Sequence, residues 1–331
     1  MRRRWKVWCA VVAALALAGW LSAPYVKDRW LLHRACDGAL PSGPARQLAA
    51  GGAHFTGEST TEHAGLGDYA CRLTYSHGVV VGMNAYTGRD DQDAVFYSVY
   101  PDGGHAVGRP LPQGLPGFVD DFGRLDFLLR CPALGKDAAG RPRRMLVIAF
   151  AGSKTRRTSH AVYEAVIPLV NSASQHLGCG ARRLAVPKGG SGPPQPDHSS
   201  RGIAVSEAGG TPCGWVADAP LPKGSWRVRS LMGDAIPAGR CDLTRQDDGS
   251  SSTDLSLTAW YGDWSNRLVM ELGVRKPLTA TARCDGEAAN FAVTPWGSEG
   301  KVDHAEQRAL LRAFAEDQTR RRGCSGLRLT G

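Results

Sequence analysis

The chain lacks the short motifs that announce a reaction. Neither G-x-S-x-G nor C-x-x-C occurs, so the serine-hydrolase and thioredoxin-type readings have no signature. The nine histidines, at 33, 54, 63, 77, 105, 160, 176, 198 and 304, show no H-x-x-x-H or H-E-x-x-H spacing, which leaves zinc hydrolysis without its ligands. Lysine is scarce too, with eight positions among 40 basic residues. The net charge of +9 therefore reads first as the arginine bias of a GC-rich coding sequence plus a basic N-terminus. An anionic partner is the second reading. Apolar residues are not scarce: at 42% of 331 residues they exclude wholesale disorder and fit two domains of ordinary size.

The near-motifs carry little weight. Gly152-Ser153-Lys154-Thr155 comes after a strong strand but lacks the G-x-x-x-x-G-K-[ST] spacing of a phosphate loop, and reads as a turn with basic residues. Asp90, Asp91 and Asp93 could offer oxygens to Ca²⁺, yet the D-x-[DN]-x-[DN]-G order is missing, and a solvated hairpin turn is expected. Asp120, Asp121, Asp247 and Asp248 carry no more. No catalytic, cofactor-binding or metal-ligating residue is expected.

One stretch occurs twice, and it organises the rest. It runs from Ser159-His160-Ala161 through a helix and Gly178-Cys179 to a short expected strand, Arg183-Leu184-Ala185-Val186, and again from Asp303-His304-Ala305 through Gly323-Cys324 to a second one, Leu327-Arg328-Leu329. Ser159 and Asp303 are good N-caps, apolar residues recur at three- and four-residue steps, and Gly178 and Gly323 sit where a left-handed cap stops a helix. Pro168 inside the first copy predicts a kink or a later start. His160 and His304 share equivalent helix starts, where a structural role next to the cap is expected.

The cysteines repeat in the same way. Cys36, Cys71, Cys131 and Cys179 form one ordered set, and Cys213, Cys241, Cys284 and Cys324 a second. Eight matched cysteines in an exported chain point to a disulfide framework. Each set alone allows three connectivities, and pairing of neighbours in order is the one expected here.

At the N-terminus Arg2, Arg3, Arg4 and Lys6 precede an apolar run from Val7 to Ala23. Seventeen residues rise roughly 25 Å as a helix, near the lower limit for a bilayer. The charge places the N-terminus in the cytoplasm and the bulk of the chain outside. Ala16-Leu17-Ala18 is a competing cleavage site, but the apolar run continues past it, and an uncleaved signal anchor is expected. The lipid bilayer is thus a partner through residues 7–25.

The expected layout is a cytoplasmic tail (1–6), the anchor (7–25), a first α+β domain (26–186), a structureless linker rich in Pro, Gly and Ser (187–212) and a second α+β domain (213–331). Strands are expected at 78–83, 94–100, 145–150, 226–228, 255–261, 267–272 and 290–293, with 262–266 as a hairpin loop. Each domain is read as an antiparallel sheet with one long packed helix. Trp260, Tyr261 and Trp264 around the hairpin, and Trp296 after a strand, could stack on sugars or anchor a partner, although core packing is the commoner use of such residues.

With its Arg-rich start, Ala-rich anchor, Cys36-Asp37-Gly38-Ala39-Leu40-Pro41 and paired helix–cysteine halves, the chain resembles uncharacterised membrane-anchored extracytoplasmic proteins of actinomycetes. Its opening is also similar to exported actinobacterial lipoprotein domains of PsbP-like fold, though the lipobox is absent. That resemblance implies an envelope location and carries over no site residues. The expected function is a non-catalytic binding or scaffolding module whose partner is an envelope protein or an anionic wall polymer, not nucleic acid. The alternative is an envelope enzyme acting on wall polymers at a site between the domains.

Overall fold

In the computed structural model, the described residues are 2–49, 51–76, 78–99, 109–120, 123–151, 159–194, 202–233, 236–246, 253–271, 274–295 and 302–330. They form an α+β protein built on two seven-stranded antiparallel sheets. The helices are α1 (Arg2–Arg34), α2 (Ser42–Leu48), α3 (Arg89–Val99), α4 (Ala161–His176) and α5 (His304–Arg321). The first sheet holds β1 (Phe55–His63), β2 (Asp68–Tyr75), β3 (Gly78–Tyr86), β4 (Arg109–Pro110), β5 (Gly117–Val119), β6 (Leu125–Arg130) and β7 (Arg144–Ala151), in the order β1-β2-β3-β7-β6-β5-β4. The second takes β8 (Ile203–Ala204), β9 (Trp226–Leu231), β10 (Ala238–Arg245) and β11 (Leu255–Tyr261). It is completed past a small ribbon of β12 (Met270–Glu271) and β13 (Val274–Arg275) by β14 (Thr279–Cys284), β15 (Glu287–Pro295) and β16 (Ser325–Thr330). Its order is β16-β14-β15-β11-β10-β9-β8.

Two periodicities set the layers. Phe127 and Leu129 of β6 and Met145, Val147 and Ala149 of β7 share a core with Val162, Ala165, Val166 and Leu169 of α4. Leu257 and Ala259 of β11 and Phe291 of β15 do the same with Leu310 and Phe314 of α5. The alternate residues point the other way: Leu128, Leu146 and Ile148 meet Trp260, Trp264 and Leu268 in a third cluster that joins the halves. The central strands are therefore apolar on both faces and read as continuous apolar runs.

Both long helices end in the same way. Gly178 (φ 59°) and Gly323 (φ 63°) take the left-handed conformation. Cys179 N donates to Ser174 O and Gly178 N to Gln175 O, while Cys324 N donates to Thr319 O and Gly323 N to Arg320 O. These are two Schellman motifs, and in each the residue after the glycine is a cysteine. Their beginnings differ. Asp303 closes a capping box with Glu306, but His160 rather than Ser159 is the cap residue of α4 and makes no side-chain cap bond. Pro168 lies inside α4 without ending it.

Four cysteine pairs stand at disulfide distance, joining neighbours in chain order: Cys36–Cys71, Cys131–Cys179, Cys213–Cys241 and Cys284–Cys324. Two tie the segment ahead of β1 or β9 to β2 or β10, and two tie the end of β6 or β14 to the helix cap.

Several expectations change. In place of the strand expected at 94–100, residues 89–99 form helix α3: Asp90 and Asp91 suit its positive N-terminal end, and Phe96 is its fully buried anchor, against Trp264. The acidic cluster thus opens a helix instead of a hairpin turn. Residues 263–267 form a 3₁₀ turn, so β11 is not hairpinned to a strand at 267–272. Within the expected linker, Gln113 holds Lys188, Ser191 bridges to Ser159, β8 pairs with β9 and Ala208 is buried in the second core. The segment 183–186, expected as a strand, pairs with no sheet, whereas its counterpart in the second half is β16.

Among the described side chains of helix α1, the buried ones belong to its C-terminal turns. Leu31 and Leu32 are buried, and Asp28 accepts from Phe55 N at 2.8 Å while facing His54 Nδ1 at 2.7 Å. Among the described residues no helix is long and apolar enough to cross a membrane. The side chains of Val7, Cys9 and Ala10, within the expected 7–25 span, lie outside the described residues.

Candidate functional site: a basic groove in the first half

The groove arises from the segment after α4. Cys179 is held to Cys131, and its carbonyl accepts from Ala133 N at 3.3 Å. The chain then runs outside any helix or sheet along 181–187, pinned by two amide side chains. Asn171 of α4 accepts from Leu184 N at 2.8 Å and donates to Leu184 O at 2.9 Å. Gln113 accepts from Lys188 N at 2.9 Å and donates to Lys188 O at 2.7 Å. Each amide stands in for a neighbouring strand, satisfying one N–H and one C=O as a ladder would.

Between this segment and the β5–β6 side of the sheet opens a groove of about 550 Å³. Arg130, Arg144, Arg182, Arg183 and Lys188 line it, with no carboxylate in the lining. Leu115, Leu128 and Leu184 supply apolar wall. Arg130 ends β6 and Arg144 begins β7, facing each other in register. Among the described residues, the carboxylate that bonds them comes from the other half: Glu287 Oε2 accepts from Arg130 Nη2 at 3.0 Å and from Arg144 Nη2. Five cations around one concavity make a strong local positive field, and guanidinium forks suit phosphate or carboxylate oxygens.

The space between the halves is different. A hollow of about 130 Å³ is lined by Arg89, Asp137, Arg143, Asp263, Trp264 and Glu287, among others. Its acids are engaged: Asp137 with Arg141 at 2.8 Å, Asp263 with Ala288 N at 2.8 Å, and Glu287 as above. Nearby, burial pushes the Asp93 carboxyl up, opposed by Arg89 and by Arg267, whose Nε stands 3.1 Å away. This is the chemistry of an ion-paired seam: among the described residues, the acids that line the hollow are all engaged.

Of the aromatic residues read around the hairpin, Trp260 and Trp264 sit in that seam and Tyr261 in the second half's own core. Trp260 is fully buried, Tyr261 and Trp264 are nearly so, and Trp264 meets Phe96 with ring centroids 4.8 Å apart. Gly262 makes this possible: its φ is 121°, and a Cβ there would lie 2.6 Å from the Trp264 ring. Trp296, the 152–155 turn and Asp121, Asp247 and Asp248 lie outside the described residues. Asp120 is buried and accepts from Arg124 N at 2.8 Å. His160 meets the Ser191 carbonyl at 3.1 Å, whereas His304 is the exposed first residue of α5; no shared site joins them.

A second polar cluster lies at the C-terminal end of α4. His176 Nδ1 is 2.7 Å from Glu62, its Nε2 is 3.8 Å from Asp37, and its ring stacks on Tyr69. Burial first, and then Asp37, push the Tyr69 hydroxyl up. Among the described residues no group of three His, Cys, Asp or Glu side chains is placed to hold a metal ion.

The sequence alone does not single out the groove residues. Arg182-Arg183 and Lys188 are a visible basic run, but Arg130 and Arg144 are remote in the chain and join it only through the sheet and the Cys131–Cys179 bridge. Compared with protein-family models, curated proteins and solved structures, the chain matches none.

Proposed function

We propose that this protein is an extracytoplasmic, non-catalytic binding module of the cell envelope, which holds an anionic wall polymer in the groove beside residues 181–188. The observation that carries the reading is the lining of five cations without a carboxylate. A groove wall built along consecutive residues of one segment suits a chain-like ligand. The engaged acids between the halves favour binding over hydrolysis.

Tethering belongs to the same reading. The N-terminal part of α1 exposes Val12, Leu15, Trp20, Leu21 and Tyr25. Apolar side chains on every side of a free helix favour an apolar surrounding, which supports a bilayer anchor at 7–25 with the bulk of the chain outside.

The test is titration of the full chain with inorganic polyphosphate, polyglutamate and neutral dextran at low and physiological salt. Polyanion binding that weakens with salt is expected, with none for dextran. The triple variant Arg182→Ala, Arg183→Ala, Lys188→Ala should lose it at unchanged thermal stability. Unaltered affinity in that variant would remove the groove from consideration.

A further inference from the structure

Glu287 stands at the meeting point of the groove and the seam. It is 4% exposed, starts β15 of the second half, and reaches across to two groove cations. Only Oε2 is engaged; Oε1 is buried with no hydrogen-bond partner among the described residues, and so is Arg144 Nε. A buried acceptor and a buried donor left unmade at one ion pair weaken it, because each has lost water without replacement. Arg144 lines both the groove and the hollow between the halves, so an anion in the groove reaches the guanidinium that Glu287 holds.

We infer that Glu287 is a built-in competitor for the groove: it occupies Arg130 and Arg144 when no ligand is present and yields them to an incoming anion, so that groove occupancy loosens the contact between the halves. This rests on the groove being the binding site. A groove anion offers oxygens to Arg130 and Arg144 without leaving a buried acceptor unpaired, as Glu287 does with Oε1, and that is the source of the exchange. Linkage then makes the effect reciprocal: whatever strengthens the Arg144–Glu287 contact weakens anion binding.

The experiment uses the full chain and inorganic polyphosphate. Glu287→Gln keeps an acceptor for Arg144 but removes the competing charge, and should tighten polyphosphate binding by about tenfold. Hydrogen exchange on the unaltered protein gives a second measurement that does not depend on the variant folding. Amides at the start of β15, including Ala288 N, should exchange faster with saturating polyphosphate. Equal or weaker binding by Glu287→Gln together with unchanged exchange at β15 overturns the competition. Should binding still vanish in Arg182→Ala, Arg183→Ala, the groove assignment stands without it. No polyphosphate binding by the unaltered chain overturns both.

Discussion

The two halves share five strands and differ at the sixth. β1-β2-β3-β7-β6 in the first half and β9-β10-β11-β15-β14 in the second run in the same antiparallel order. Each is covered by one helix that ends in a Schellman motif whose cysteine returns to the outermost of those strands. In the second half the chain after the cysteine becomes β16 and pairs with β14, closing the edge. In the first half β5 has taken that edge beside β6. The chain after Cys179 is displaced outward and held by Asn171 and Gln113 instead. The displacement is what opens the basic groove. A site was made by occupying a strand position early, with no change to the helix, cap or bridge.

The bridges give the largest expected effect. Replacing Cys131 and Cys179 together by Ser, or Cys284 and Cys324, opens loops spanning 48 and 40 positions. Each pair should cost about 4 kcal/mol in the chain-entropy model, seen as a lower melting temperature. Only the first pair should also abolish polyanion binding, since Cys179 holds the groove wall; equal loss from the second pair would break the comparison. Next in size is the seam. Trp264→Ala should cost about 3 kcal/mol by leaving a cavity against Phe96, and should split the calorimetric transition into two as the halves uncouple.

A smaller contrast concerns the helix starts. Asp303→Ala removes a complete capping box and should destabilise by about 1 kcal/mol, while Ser159→Ala, which loses only a 3.3 Å contact to Ala161 N, should stay within about 0.5 kcal/mol in urea unfolding. Alkaline pH offers the last comparison. Burial pushes Tyr261 up to about 12, so the folded state keeps this proton between about pH 10 and 12 while the unfolded chain loses it. Stability must therefore fall as pH rises through that window, and Tyr261→Phe should flatten the fall in melts taken across it.

The fold was legible wherever a signal was local. Gly178 and Gly323 stop helices because glycine is at ease at positive φ, and the strands at 78–83, 145–150 and 255–261 lie where β-branched and aromatic residues cluster. The misreadings have one cause. Ala94-Val95-Phe96-Tyr97 has strand propensity but is helical, because a single stripe, Phe96, has a buried surface to meet. Trp260 and Trp264 are packed in a core, the commoner use of such residues, but nothing in their neighbourhood reveals that what covers them is a second sheet. Arg183-Leu184-Ala185-Val186 has the text of a strand and lacks only a free edge.

What the sequence determined by itself is therefore each short-range commitment: the helix stops, the strand-forming runs and, through them, the α+β class. These come from backbone conformation and side-chain period, which act over a few residues. Which strand occupies a sheet edge, which faces meet across the halves, and which arginines converge on one groove were decided by the tertiary structure. Edge hydrogen bonds and buried area are claimed by whichever segment packs there, and that competition runs between residues far apart in the chain.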